Sequence, residues 1–202
     1  MPQTILALLA LMLASVLTFN QQRLTTRAQT RMVTDEMELA ASGLVSDVLE
    51  FAAARSFDES TTPEAIEAAQ AVPQTAAPFR PVSAFGAPDR GPVGCDLLLP
   101  YRTPECDDVD DLDGLLDEPV EILLANGRRF PFNVAIRVSY VTGPESAVVS
   151  AVPTLHKRVL VSVRSQFVNG GRTTILSSPR VVSYDPIKAG KDHEDVFGPM
   201  GV

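Results

Sequence analysis

The sequence has little of what catalytic and nucleic-acid-binding proteins need. It contains two histidines, two cysteines and no tryptophan, and its formal net charge is −8. The acidic balance argues against nucleic acid as a partner, because phosphate binding needs a basic surface. No GxGxxG, Walker or HExxH pattern occurs, and neither His156 nor His193 has a serine or cysteine in a nucleophile context. These absences predict a protein that is not an enzyme.

The two cysteines, Cys95 and Cys106, lie in a proline-rich stretch. The sequence around them lacks the CxxC pairs or additional histidines that a zinc site requires. Two interpretations therefore stay open, either one disulfide in an exported protein or two unrelated thiols.

Proline is absent between Gln3 and Phe57, and Gly43 is the only glycine there. Because this stretch is rich in good helix formers, it predicts one helix over residues 1–57, about 80 Å long. Its residues 1–22 are apolar, although the uncharged run 5–19 is shorter than the roughly 20 residues of a free-standing membrane span. The large apolar side chains expected in a membrane or in a bundle of identical neighbours are Ile5, Leu6, Leu8, Leu9, Leu11, Met12, Leu13, Val16, Leu17 and Phe19.

The later part of this helix is amphipathic. From Val33 onward the apolar residues recur in steps of three and four, which predicts one stripe that packs on a folded domain. Charges form a basic block followed by an acidic block, and either block could be a solvated face or could pair with a neighbouring helix in a staggered bundle. The candidates for such pairing between subunits are Arg23, Arg27, Arg31, Asp35, Glu36 and Glu38.

The sequence pattern changes at residue 58 and again at residue 118. Residues 58–117 are irregular and rich in proline, and residues 118–184 alternate with a period of two around an Asn126-Gly127 hairpin turn. This alternation predicts a sheet of about four antiparallel strands, with Pro179 marking an edge or a bulge. Residues 185–202 form a polar tail. The predicted fold class is α+β, with the amphipathic helix covering the sheet.

A run of aspartates stands just before the predicted sheet. Carboxylate oxygens are the ligands that calcium prefers, but Val109 occupies a ligand position of the EF-hand pattern. The alternatives are a solvated loop with Asp-Gly turn chemistry and carboxylates that accept hydrogen bonds from backbone amides. The candidate calcium ligands are Asp107, Asp108, Asp110, Asp111 and Asp113. No other cofactor is predicted.

Together these segments resemble a type IV pilin. That family has a long N-terminal helix, apolar in its first half, whose second half packs on a four-stranded antiparallel sheet behind a variable loop. Residues 107–115 (DDVDDLDGL) are similar to the D(I/V)DD-x-x-G segment of pilin-like proteins of the minor or mannose-sensitive-haemagglutinin biogenesis type. Family members usually carry glutamate at the fifth mature position, where this chain has Ile5. Either a leader is removed before Met1, or this chain is processed differently.

The resemblance implies a structural subunit of an extracellular filament that serves adhesion, motility or surface attachment. Its implied partners are copies of itself, the inner membrane before assembly and the pilus assembly machinery. Two other interpretations stay open. One is a pseudopilin of a type II secretion system, and the other is a bitopic membrane protein whose head binds a ligand or a partner.

Overall fold

The computed structural model describes residues 2–62, 65, 66, 69, 73–85, 108–123, 127, 129–165 and 174–186, with residues 2–8 and 10 described for their backbone only. Cys95, Cys106 and Asp107 lie outside these residues, as does most of the predicted tail. The chain divides into two compact units, Met1–Ala40 and Ala41–Val202.

The first unit is helical. Helix α1 begins at Pro2 and ends at Ala53, so that its residues up to Ala40 make up this unit. The described side chains from Leu9 to Asp35 are all exposed. Hydroxyl groups in this part, such as those of Ser15 and Thr18, donate to the carbonyl four residues earlier at 2.8 Å. An apolar helix can therefore carry these polar side chains without leaving their donors unsatisfied.

In the second unit, the remaining part of α1 packs on a four-stranded antiparallel sheet, which gives an α+β arrangement. Its apolar residues recur in the three- and four-residue steps that place them on one face. The buried residues of this part of the helix are Ala41, Leu44, Val45, Val48, Leu49 and Ala52. The amphipathic stripe predicted from Val33 onward is confirmed from Ala41, whereas Val33 itself is 41% exposed and Phe51, which continues the predicted steps, is half-buried.

The helix ends four residues before the predicted boundary at residue 57. The chain turns after Ala53, and Ser56 then forms a parallel bridge with Asp108. The backbone N–H of Val109 donates to the Ser56 carbonyl at 3.0 Å. Pairing with a distant segment thus replaces the last helical turn and ties the end of the helix to the acidic run.

The sheet consists of β1 (Glu118–Leu123), β2 (Arg129–Tyr140), β3 (His156–Arg164) and β4 (Thr174–Ser183) in the order β1-β2-β3-β4, all antiparallel. Gly127, between β1 and β2, has φ +77°, which the predicted Asn-Gly turn requires. Pro179 lies on the edge strand β4, opposite Leu160. The sequence-based prediction of four strands with a proline at an edge is therefore confirmed.

One face of the sheet forms the core. Alternate residues of β2, from Phe132 to Tyr140, are buried, and so are alternate residues of β3, from Lys157 to Val163. Phe130 continues the same alternation toward the start of β2 but is only half-buried, because it pairs with Ile122 of the edge strand β1. The core of this unit therefore centres on the two middle strands.

Candidate functional site

Three aspartates of the acidic run are buried, so the interpretation as a solvated loop is wrong for them. Asp108 and Asp110 are 0% exposed and Asp111 is 3% exposed. Residues 110–112 form a 3-10 helix in which Leu112 is also fully buried, and Val109 before it is buried too. These two apolar residues anchor the segment in the core and carry the neighbouring carboxylates inward.

Two carboxylates of this segment accept hydrogen bonds from backbone amides, as one interpretation of the sequence expected. Asp108 Oδ1 accepts from the N–H of Asp111 at 3.0 Å, and Asp113 Oδ1 accepts from the N–H of Val138 at 2.7 Å. The pairing of β1 with β2 stops at Val134. Asp113 therefore supplies an acceptor to a part of β2 that has no partner in β1.

Lys157 contacts Asp58 and Asp110 in a buried cluster of charged side chains. Its side chain is 0% exposed, and its ammonium group donates to the Phe57 carbonyl at 2.6 Å, to Asp58 Oδ2 at 3.2 Å and to Asp110 Oδ1. Sequence reasoning missed this residue. The signal was present, because Lys157 continues the period-two series of Val159, Val161 and Val163 on the buried face of β3.

Aromatic rings form the apolar wall around the ammonium group. Nζ of Lys157 lies 4.6 Å from the ring centroid of Phe57, 5.2 Å from that of Tyr140 and 5.4 Å from that of Phe85. The electron-rich faces of such rings attract a cation. Phe57 also packs on Phe79 with centroids 5.2 Å apart, which extends the apolar wall away from the ion pairs.

Asp58 is held from several sides. Its Oδ2 atom accepts from the N–H of Arg80 at 2.9 Å and from the Tyr140 hydroxyl at 3.3 Å, and its Oδ1 atom accepts from the N–H of Ser60 at 3.2 Å. The Asp58 N–H donates to the Thr61 hydroxyl, so that a capping box fixes the residue at the start of a short 3-10 helix. These contacts orient the carboxylate toward Lys157.

The cluster contains more acidic than basic groups in a dry environment. Burial, followed by repulsion from Asp110 and Asp111, raises the pKa of Asp108 to about 8. Burial also raises the pKa of Asp110, although Lys157 opposes this rise. Arg80 balances part of the charge through an ion pair with Asp111 at 3.3 Å. Asp108 is therefore the carboxyl group that keeps its proton near neutral pH.

The raised pKa of Asp108 predicts an unusual pH dependence. Because the folded chain binds this proton more tightly than the unfolded chain, the free energy of unfolding should fall as pH rises from about 4 to about 8. Asp108→Asn keeps the acceptor for Asp111 but cannot ionise, so its stability should fall less over this range. Guanidinium denaturation at several pH values measures the difference.

The matched control for that experiment is Asp117→Asn, since Asp117 is exposed. This control should follow the wild-type pH profile. Parallel curves for Asp108→Asn and the wild type would contradict the assigned role of Asp108.

A metal centre finds no support among the described residues. Within them, no group of three or more His, Cys, Asp or Glu residues is arranged to hold a metal ion. The ammonium group of Lys157 lies against Asp58 and Asp110, where it supplies the positive charge. Asp107 lies outside the described part of the chain, and the calcium site stays a prediction.

The candidate residues on the helix lie apart from this cluster in the sequence, and most of those with described side chains are exposed. Seven of the predicted apolar residues have described side chains, and each of them is more than half exposed: Leu9, Leu11, Met12, Leu13, Val16, Leu17 and Phe19. The side chains of Ile5, Leu6 and Leu8 are outside the described set. In the part of the chain that the structure covers, no helix is both long enough and apolar enough to cross a membrane.

The charged candidates also lie on the surface of the helix. Arg23, Arg27, Arg31, Asp35 and Glu38 are exposed, and Glu36 is half-buried. The guanidinium of Arg23 lies 4.5 Å from the ring centroid of Phe19. These positions leave the charges accessible to another molecule.

Comparison with protein-family models, with curated proteins and with solved structures gives no match to this chain.

Proposed function

We propose that this chain is a structural subunit of an extracellular type IV pilus-like filament, assembled through the apolar part of its N-terminal helix. The observation that supports this most strongly is the exposure of large apolar side chains in the first unit. Met12 is 73% exposed, Leu11 65% and Leu17 62%. An apolar surface of this kind marks an interaction site, because leaving it in water is unfavourable.

The second unit supports the same proposal. In it, the amphipathic end of α1 packs on a four-stranded antiparallel sheet, which is the arrangement that the resemblance to pilins implies. The fold alone does not define a function. The combination of this unit with an exposed apolar helix favours a subunit that buries the helix among copies of itself.

In this proposal, contacts between charged side chains fix how neighbouring helices are staggered. The basic block Arg23, Arg27 and Arg31 precedes the acidic block that begins at Asp35, and both are accessible. Staggered neighbouring helices would place one block against the other, and such pairs gain strength when they are removed from water. Before assembly the apolar segment resides in the inner membrane, and the assembly machinery transfers it to the filament.

The direct test is electron microscopy of material sheared from cells that express the chain, with mass spectrometry of the fibres. We expect thin fibres in which this chain is the main protein. Short fibres confined to the periplasm would favour a pseudopilin of a type II secretion system instead. If the chain is found only as a membrane-bound monomer, the proposal is wrong, and a bitopic protein with a binding head becomes the better interpretation.

A further inference from the structure

The cluster around Lys157 places a primary amine against a carboxyl group, with both side chains buried. Both side chains, Lys157 and Asp110, are 0% exposed, and Nζ contacts Asp110 Oδ1 directly. A second carboxylate, Asp58, lies 3.2 Å from the same nitrogen, and three aromatic rings face it. Nζ therefore has one buried carboxyl group in direct contact and a second within hydrogen-bond distance.

We propose that Lys157 and Asp110 become joined in the folded protein by an intramolecular amide bond between Nζ and Cγ. The bond Nζ–Cγ forms and one Cγ–O bond of Asp110 breaks. Two of the three protons of the ammonium group leave with that oxygen as water, and the third stays on the amide nitrogen. The ion pair therefore converts to an amide and one water molecule, with no oxidant, reductant or other reactant.

The neighbouring carboxyl groups handle the protons of this reaction. Nζ attacks only after it loses a proton, and Asp58 Oδ2, which accepts a hydrogen bond from it, is the base. Asp108 lies two residues before Asp110, is buried with it and keeps its proton near neutral pH, and it supplies that proton to the oxygen that leaves. A proton released from Nζ then replaces it, so that both protons of the water come in net from the ammonium group.

The choice of Asp110 over Asp58 as the acceptor follows from their hydrogen bonds. Asp58 Oδ2 also accepts from the Arg80 N–H and from the Tyr140 hydroxyl. A carboxylate that other donors already engage is a poor electrophile, whereas its contact with Nζ places it to take up the proton. Asp110 shares its Oδ1 with Nζ and has Asp108 beside it, so its carbon is the one prepared for attack.

The surroundings favour the amide. Fixing two reacting groups in contact replaces a bimolecular encounter by an intramolecular step, which can correspond to effective concentrations of about 10⁵ M or more. The reaction also removes two buried charges, whose desolvation opposes folding. The bond would link strand β3 to the segment that precedes β1, within one compact unit. It is independent of whether the chain forms filaments.

Mass spectrometry of the purified full chain tests the proposal. After reduction, denaturation and trypsin digestion, we expect a branched peptide in which residues 103–128 are joined to residues 138–158, with uncut Lys157 and a mass lower than the sum by one water molecule. Linear recovery of both peptides would overturn the proposal. A branch to the peptide that contains Asp58 would overturn the assignment of Asp110. The result on the wild-type chain decides even where a variant fails to fold.

Three variants refine the test. Lys157→Arg and Asp110→Ala should each abolish the branched peptide. Asp108→Asn keeps both joined residues and should lower the linked fraction at least tenfold, because proton transfer by a positioned side chain typically contributes about 10²-fold or more to a rate. An unchanged linked fraction in Asp108→Asn would overturn its role as the proton donor.

Discussion

Replacing Lys157 by methionine should lower the free energy of unfolding of the second unit by about 3–5 kcal/mol, the typical cost of removing one partner from a buried ion pair. The ammonium group is 0% exposed and contacts both Asp58 and Asp110. Without it, these carboxylates are left buried with no cation against them, and the Phe57 carbonyl loses its donor. The loss is expected whether the contact is an ion pair or the proposed amide. Chemical denaturation of the full chain in detergent, monitored by tyrosine fluorescence, measures this loss of stability.

The control for this prediction is Arg129→Met. Arg129 pairs with Glu121 at 3.3 Å, but their side chains are 74% and 60% exposed, so the loss should stay below about 1 kcal/mol. A triple variant that adds Asp58→Asn and Asp110→Leu to Lys157→Met should recover part of the lost stability, since it removes the isolated charges. Equal losses for Lys157→Met and Arg129→Met would show that the buried cluster is not coupled to the stability of the fold.

Lys157 illustrates how much of this cluster the sequence could predict. The alternation of β3 places residue 157 on the same face as Val159, and the sequence alone predicts that alternation. A lysine at the buried end of such a series predicts a buried counter-ion. The identity of that counter-ion does not follow, because Asp58 and Asp110 are distant in sequence from the strand and from each other.

The position of Asp58 depends on a contact that local patterns do not encode. Ser56 pairs in parallel with Asp108, and this single bridge brings the end of the helix to the acidic run. The sequence left calcium binding, a solvated loop and acceptors for backbone amides open for the aspartates, and it gave no sign of a buried cation, because charged residues are seldom buried without partners. The partners exist, but they come from three separated segments. Periodicity therefore predicted the helix and the four strands, whereas the cluster required the tertiary structure.

The limit of burial along the helix was predicted only approximately. An uncharged run followed by an amphipathic stripe predicted that burial within one chain begins near Val33, but Val33 is 41% exposed. In the structure, buried helix residues are concentrated from Ala41 onward, and the described side chains from Leu9 to Asp35 are exposed. What covers those side chains does not follow from the structure of one chain. An experiment on the proposed assembly tests it.

Substituting both Leu13 and Leu17 by serine should abolish or strongly reduce filament formation. The two residues lie four apart on the helix and are 57% and 62% exposed, so both are available to neighbouring helices. Truncating a packed leucine costs about 2–5 kcal/mol. Because each 1.4 kcal/mol or so changes an equilibrium constant tenfold, the amount of sedimentable filament should fall at least tenfold. Serine is chosen because Ser15 already shows that this helix can bond a hydroxyl to its own backbone.

The matched control substitutes two exposed leucines of the second unit, Leu116 and Leu123, by serine. They are 65% and 66% exposed, so the change in side-chain chemistry is the same as in the helix. This control should sediment like the wild type, and denaturation should show equal stability of the second unit in all three proteins. If the helix variant still forms filaments while the control does not, the subunits assemble through the sheet-bearing unit, and the apolar helix has a different role.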